Sequence, residues 1–96
     1  MKIKVEYLGS TGIALNRKEE SVEIPSRTTL EDLLGKLSSF YGKVFGEEVF
    51  EPENKKIRDG LVITVNGIAA GQTGGLKTVL REGDVVSILP FFAGGG

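Results

Sequence analysis

The sequence predicts an α+β fold, a mixed sheet of four to five strands packed on one main helix. Three observations predict it. Two stretches near the start alternate apolar and polar residues, a single segment in the middle carries leucines at helical spacing, and two β-branched stretches near the end are bounded by Asn-Gly and Gly-Asp turn signals.

Ile3, Val5 and Tyr7 alternate with Lys2, Lys4 and Glu6, the period of two that buries one face of a strand and wets the other, so the first strand is set at residues 2–8. Gly9, Ser10, Thr11 and Gly12 break it. A polar passage from Asn16 to Glu20 then leads to a second alternating stretch at 21–25, and the two strands pair as a hairpin with a long loop. Thr28 and Glu31 have the spacing of a capping box, in which each side chain satisfies a backbone N–H that a helix start leaves unpaired. Leu30, Leu33, Leu34, Leu37 and Tyr41 follow on one face of an amphipathic helix. Each buried leucine contributes roughly 1.5–3 kcal/mol while Gly35 costs about 1 kcal/mol, so the helix tolerates its glycine. Gly42 ends it, because a left-handed C-cap carries no Cβ penalty there.

Residues 43–60 set Phe45, Val49, Phe50 and Ile57 among charges, and Pro52 bars a continuous helix. A short helical turn and an irregular excursion are expected. The β-branched run at 61–65 meets Asn66-Gly67, the strongest short-range hairpin signal in the chain, and a short strand follows around 68–70. A glycine-containing loop at 72–77 and a turn through Arg81, Glu82, Gly83 and Asp84 deliver the last strand at 85–89. Hairpins at both ends joined by a crossover helix make the β-grasp, or ubiquitin-like, arrangement. Residues 1–90 are read as that domain and residues 91–96 as a flexible glycine tail.

Twelve Lys plus Arg stand against thirteen Asp plus Glu, a net charge of -1 that offers nucleic acid no long-range attraction. Apolar runs are too short to cross a bilayer, and Met1 leads straight into the first strand without a signal-peptide pattern. No membrane partner and a cytoplasmic location are expected. The absence of Cys and His removes thiolate nucleophiles, disulfides, the commonest zinc ligands and the side chain that titrates near neutral pH. Much of enzyme chemistry is thereby closed to this chain acting alone; no catalytic side chain of its own, no metal and no bound cofactor are expected.

The run 71–78 brushes against a phosphate-binding loop, but Leu76 occupies the glycine position before Lys77-Thr78 and no long helix is predicted after it, so it reads as a surface loop. Glu47, Glu48, Glu51 and Glu53 are interleaved with lysines nearby and read as a solvated charged surface rather than a metal or acid–base cluster. Val62, Val85 and Leu89 fall on the outer faces of the last strands and, with Phe91 and Phe92, suggest a partner surface; some of them serve equally well as cover for 43–60.

The chain closes on Gly94, Gly95 and Gly96. Glycine lacks Cβ and can thread a channel too narrow for any other residue. Seven extended residues from Pro90 reach roughly 23–25 Å, enough to enter a neighbouring protein's active site while the domain stays outside. A terminal carboxylate, with an ordinary pKa of about 3.3–3.7, is ionised and a poor electrophile at neutral pH, so another protein must activate it.

The run from Leu61 through Val65 to Asn66-Gly67, then Leu80-Arg81-Glu82-Gly83-Asp84-Val85-Val86, then Ile88-Leu89-Pro90 with a terminal Gly-Gly, resembles the ubiquitin-like sulfur carriers, above all the small subunit of molybdopterin synthase. The thiamine-pathway carrier and the archaeal ubiquitin-like modifiers are relatives in the same pattern. The resemblance implies a C-terminal glycine carboxylate that is adenylated by a ubiquitin-activating-type adenylyltransferase using ATP and converted to a thiocarboxylate. The sulfur then passes to a pterin precursor inside the large subunit of molybdopterin synthase. By that resemblance Gly95 and Gly96 carry the chemistry as backbone, Phe91, Phe92, Ala93 and Gly94 line the way in, and Val62, Val85 and Leu89 face a partner. The alternatives are a thiamine-pathway carrier and a modifier joined through its C-terminal glycine to lysines. The family commonly reads Pro-Pro-Val-x-Gly-Gly. Here the tail is one residue longer from Pro90, and Phe91 replaces the second proline, so the activated residue is Gly96, or Gly95 after trimming.

Overall fold

A computed structural model describes residues 1–91. Ten elements follow in chain order: β1 (Lys2–Tyr7), α1 (Gly9–Leu15), β2 (Glu19–Glu23), α2 (Leu30–Tyr41), α3 (Lys43–Glu48), β3 (Phe50–Glu51), β4 (Lys56–Ile57), β5 (Leu61–Val65), β6 (Ile68–Ala69) and β7 (Val85–Pro90). The main sheet runs β2-β1-β7-β5-β6, with β1 and β7 parallel and the other pairs antiparallel. This is the β-grasp fold, and it places the last strand at the centre of the sheet.

The period of two sets which face is inside. Ile3, Val5, Tyr7, Ile63, Val65, Val86 and Ile88 point inward and are buried against Leu30, Leu33, Leu34 and Leu37 of α2. Their neighbours Lys2, Lys4, Glu6, Val85, Ser87 and Leu89 alternate to the other face. Asn66 (φ 52°) and Gly67 (φ 83°) form the turn between β5 and β6. The Asn66 side chain also accepts from the Val85 N–H at 2.9 Å and donates to Asp84 at 2.8 Å, fastening that turn to the start of β7.

Three expectations need correction. The capping box of α2 is Thr29 with Asp32, one residue later than the pair Thr28 and Glu31, which has the same spacing. Thr28 is buried instead and donates its hydroxyl to the Pro25 carbonyl at 2.7 Å. The connection between β1 and β2 is not a loop but contains α1, whose Gly9, Ser10, Thr11 and Gly12 are poor helix formers. Tertiary contacts hold it: Thr11 and Leu15 are buried, Asn16 caps its end in the left-handed region, and a Cβ on Gly12 would lie 2.5 Å from the Tyr7 carbonyl oxygen. Finally, 43–60 does form the expected short helix, α3, but the rest is not irregular: β3 and β4 pair as a two-stranded hairpin, and Phe45, Val49 and Phe50 are completely buried. It packs against α1 and α2 on the helix side of the sheet, so it does not use the outer-face residues Val62, Val85 and Leu89 as cover.

The glycine loop at 70–77 is two short 3-10 turns, closed by a 3.1 Å contact between the hydroxyls of Thr73 and Thr78, which is not the strand–loop–helix setting of a phosphate loop. Among the described residues no helix is long and apolar enough to cross a membrane.

Candidate functional site

β7 is held on both sides, paired with β1 through Lys4–Val85 to Tyr7–Ile88 and with β5 through Leu61–Pro90 to Val65–Val86. Pairing of this kind fixes the direction of the strand that leads into the tail. Pro90 has no N–H to give. The next donor, the Phe91 N–H, reaches the Gly60 carbonyl at 2.7 Å. Phe91 itself is 57% exposed, a large apolar side chain left in water at the point where the described chain stops.

On the outer face, register brings an apolar row together beside this exit. Leu89 stands directly opposite Val62, and both are half-buried. On the other side Leu8, still extended at φ -99° and ψ 153°, donates its N–H to the Ile88 carbonyl at 2.9 Å and so continues the parallel register beside Leu89. Leu8 is 42% exposed, and Ile13 of α1, which shares a recess with it, is 82% exposed. Val85 does not join this group. It lies at the far end of β7 opposite Lys4, about 13 Å away for four residues of extended chain.

Charge divides the surroundings of the exit. The recess under Pro90 and Phe91 is bordered by Glu47, Glu48 and Asp59 with Arg58 among them, a mainly acidic edge, and the recess on the Leu8 side by Arg17 and Lys18. Behind Leu8 the Tyr7 hydroxyl donates to Glu20 at 2.6 Å and the Tyr41 hydroxyl to the same oxygen at 2.5 Å, while Arg17 holds the other oxygen at 3.2 Å. Burial first and the Glu20 carboxylate second push the Tyr7 phenol well above the ordinary tyrosine range, and Tyr41 is raised for the same reasons in the same order. These hydroxyls stay protonated as donors, a structural network and not an acid–base pair working near neutrality.

Of the carboxylates weighed in the sequence, Glu51 pairs with Arg58 at 2.9 Å. Among the described residues no group of three or more His, Cys, Asp or Glu side chains could hold a metal ion. Of the residues expected at the site, Val62, Leu89 and Phe91 gather at the exit, Val85 stands apart, and Phe92, Ala93, Gly94, Gly95 and Gly96 lie outside the described residues. Sequence reasoning missed Leu8 and Ile13. The signal was present: Leu8 continues the wet phase of a strand otherwise occupied there by Lys2, Lys4 and Glu6.

Comparison with known proteins bears on this geometry. The model of the ThiS family matches residues 5–95. A putative molybdopterin converting factor, subunit 1, from Pyrococcus furiosus is 28% identical, with a TM-score of 0.73 over 96% of this chain and 99% of that one. SAMP1 from Haloferax volcanii shares the fold at 18% identity, TM-score 0.79, over 99% of this chain and 100% of that one. A chain of the Amycolatopsis orientalis BexX/CysO complex does so at 24% identity, TM-score 0.71, over 97% and 99% respectively. No curated protein sequence matches.

Proposed function

The chain belongs to the ThiS family of ubiquitin-like sulfur carriers, and from that premise we propose that it is the small, sulfur-donating subunit of a molybdopterin synthase. The observation that carries the choice of pathway is its 28% identity to the Pyrococcus furiosus protein named as a putative molybdopterin converting factor subunit, over nearly the full length of both chains. The absence of Cys and His supports the same reading, because the chemistry is then left to the carboxyl end and to partner proteins.

In this reading the domain docks through the apolar row Leu8, Leu89 and Val62 together with Phe91, and the tail enters the partner's active site. Apolar side chains half in water beside a fixed exit suit such an interface, since docking removes them from solvent without refolding the sheet. The partners are a ubiquitin-activating-type adenylyltransferase and the large synthase subunit. Inside the first, a carboxylate oxygen of Gly96, or of Gly95 after trimming, attacks the α-phosphorus of ATP and pyrophosphate leaves. A sulfide-equivalent donor then adds to the acyl carbon and AMP leaves, so the carboxylate becomes a thiocarboxylate. Backbone without Cβ suits both steps, because the acyl carbon must be reached along a narrow channel.

The test is incubation of the 96-residue chain with a cognate adenylating enzyme, ATP and a sulfur donor, followed by intact mass. Exchange of one oxygen for sulfur adds about 16 Da. No adenylate and no gain with an enzyme proven active on its own carrier would overturn the proposal. Lysine-linked Gly-Gly remnants in digests of cell extract would instead assign the activated tail to protein modification, and sulfur delivery confined to thiamine formation would move it to that pathway.

A further inference from the structure

We infer that Gly9 and the Gly60 carbonyl form a two-sided seat that fixes the direction in which the chain leaves β7, making Gly9 a positioning residue for activation of the tail; this rests on the sulfur-carrier reading. Gly9 opens α1 at φ +58°, in the left-handed region. A Cβ built on it would lie 3.2 Å from Pro90 Cδ and 3.3 Å from Pro90 Cγ, and among the described residues it would meet no other atom within 4 Å outside its chain neighbours and the backbone of its own helix. Outside α1 itself, the space a side chain at this position would need is taken up by the proline ring.

The other side of the seat is a hydrogen bond. Pro90 cannot donate to β1, so the strand's last tie is the Phe91 N–H to the Gly60 carbonyl at 2.7 Å on the β5 side. A ring pressed against Gly9 on one flank and a hydrogen bond on the other fix the peptide between Pro90 and Phe91. If a Cβ on Gly9 moved Pro90 by about 0.4 Å across a Cα spacing of about 3.8 Å, the next peptide would tilt by roughly 6°. Misplacement on the order of 1 Å at a reacting centre costs about a hundredfold in rate, so a tilt at the root of the tail falls on the chemical step while Leu89 and Val62 keep their places.

The experiment compares the full chain with Gly9→Ala, Pro90→Ala and the double variant. Three quantities are measured: hydrogen exchange of the Phe91 amide in the free protein, kcat and KM for adenylation, and thermal melting. Gly9→Ala is expected to speed Phe91 exchange and to lower kcat about tenfold with KM held, in line with a misplaced and not an undocked tail. Pro90→Ala removes the two ring carbons that a Cβ on residue 9 would strike and empties that flank of the seat, so it should itself lower kcat, and adding Gly9→Ala to it in the double variant should cost little more. Gly9→Asn keeps the clash while tolerating positive φ, and it takes the place of Gly9→Ala if the alanine variant fails to fold.

Wild-type kcat in Gly9→Ala, or a Gly9→Ala loss as large in the Pro90→Ala background as in the wild-type chain, overturns the seat. If the wild-type chain is not adenylated at all, the sulfur-carrier reading fails by itself. The exchange measurement then decides the seat: Phe91 protection unchanged by Gly9→Ala overturns it, and protection lost in Gly9→Ala but not lowered further when Gly9→Ala is added to Pro90→Ala upholds it.

Discussion

Leu89→Glu separates docking from folding. In the free domain Leu89 is half-buried on the outer face opposite Val62, so a glutamate there changes strand propensity by at most about 1 kcal/mol. In the docked state the same change removes the burial of a leucine, about 1.5 kcal/mol at the low end, and desolvates a carboxylate at a similar cost. No compensation is at hand: one row back on the same face Glu6 accepts from Ser87 at 2.8 Å, and Lys4 beyond it is already paired with Glu19 at 2.9 Å. The two contributions make about 3 kcal/mol, or roughly a hundredfold in Kd at 1.4 kcal/mol per tenfold. Titration calorimetry against the large synthase subunit reads the Kd, and a melt on the same sample reads the fold. Val85→Glu, at the far end of β7 beside Lys4, should move Kd by no more than about threefold, as surface changes away from an interface do. Unchanged Kd in a folded Leu89→Glu variant, or equal damage from Val85→Glu, refutes the docking row.

Further outcomes follow from the same geometry. Glu20→Gln weakens the charge-assisted hydrogen bonds from Tyr7 and Tyr41 and should cost about 2 kcal/mol, a drop of roughly 10 °C in Tm for a domain of this size; an unchanged melt would show that the network contributes nothing. The Tyr7 phenol is raised in the folded state, so its contribution to stability is whole below the unfolded value of about 10 and is lost as pH climbs above it. Denaturation midpoints followed into alkali should fall less steeply in Tyr7→Phe than in wild type. Deleting Gly94, Gly95 and Gly96 should abolish the mass gain on activation and leave Tm unchanged, since β7 ends at Pro90. Thr29→Ala removes one half of the α2 cap and should cost about 1 kcal/mol by chemical denaturation, whereas Glu31→Ala should be nearly neutral.

The parts of the fold that were legible in the sequence are those in which one periodicity runs unbroken. Ile3, Val5 and Tyr7 declared β1, the four leucines declared α2, and Asn66-Gly67 declared the hairpin. α1 was illegible because Gly9, Ser10, Thr11 and Gly12 argue locally for a break, while the reasons for the helix, a buried Thr11 and a glycine packed on the Tyr7 carbonyl, are tertiary. Phe45, Val49 and Phe50 were hidden by the charges around them, though their burial closes the core. The cap was displaced by one residue because Thr28 and Thr29 each have an acid three positions on, and only the burial of Thr28 tells them apart. At the site, Val62 and Leu89 could be paired by alternation, but the presence of Leu8 in the same row depends on the parallel register of β1 with β7, which no local pattern encodes.

That parallel pairing also sets an order of events. β7 is the last of the sheet's strands in chain order and the one inserted between β1 and β5, so the sheet cannot close until residues 85–90 have been synthesised. Contacts of such long sequence separation form slowly and late. The docking row needs β7 in place, because Leu89 is what lies between Leu8 and Val62. A chain that has not folded carries the same glycines but has no row with which to present them. In the proposed role, completion of the fold would act as a checkpoint for the tail: the strand whose insertion finishes the sheet is the strand that leads into the glycines, and a partner docking on the row would sample finished molecules only.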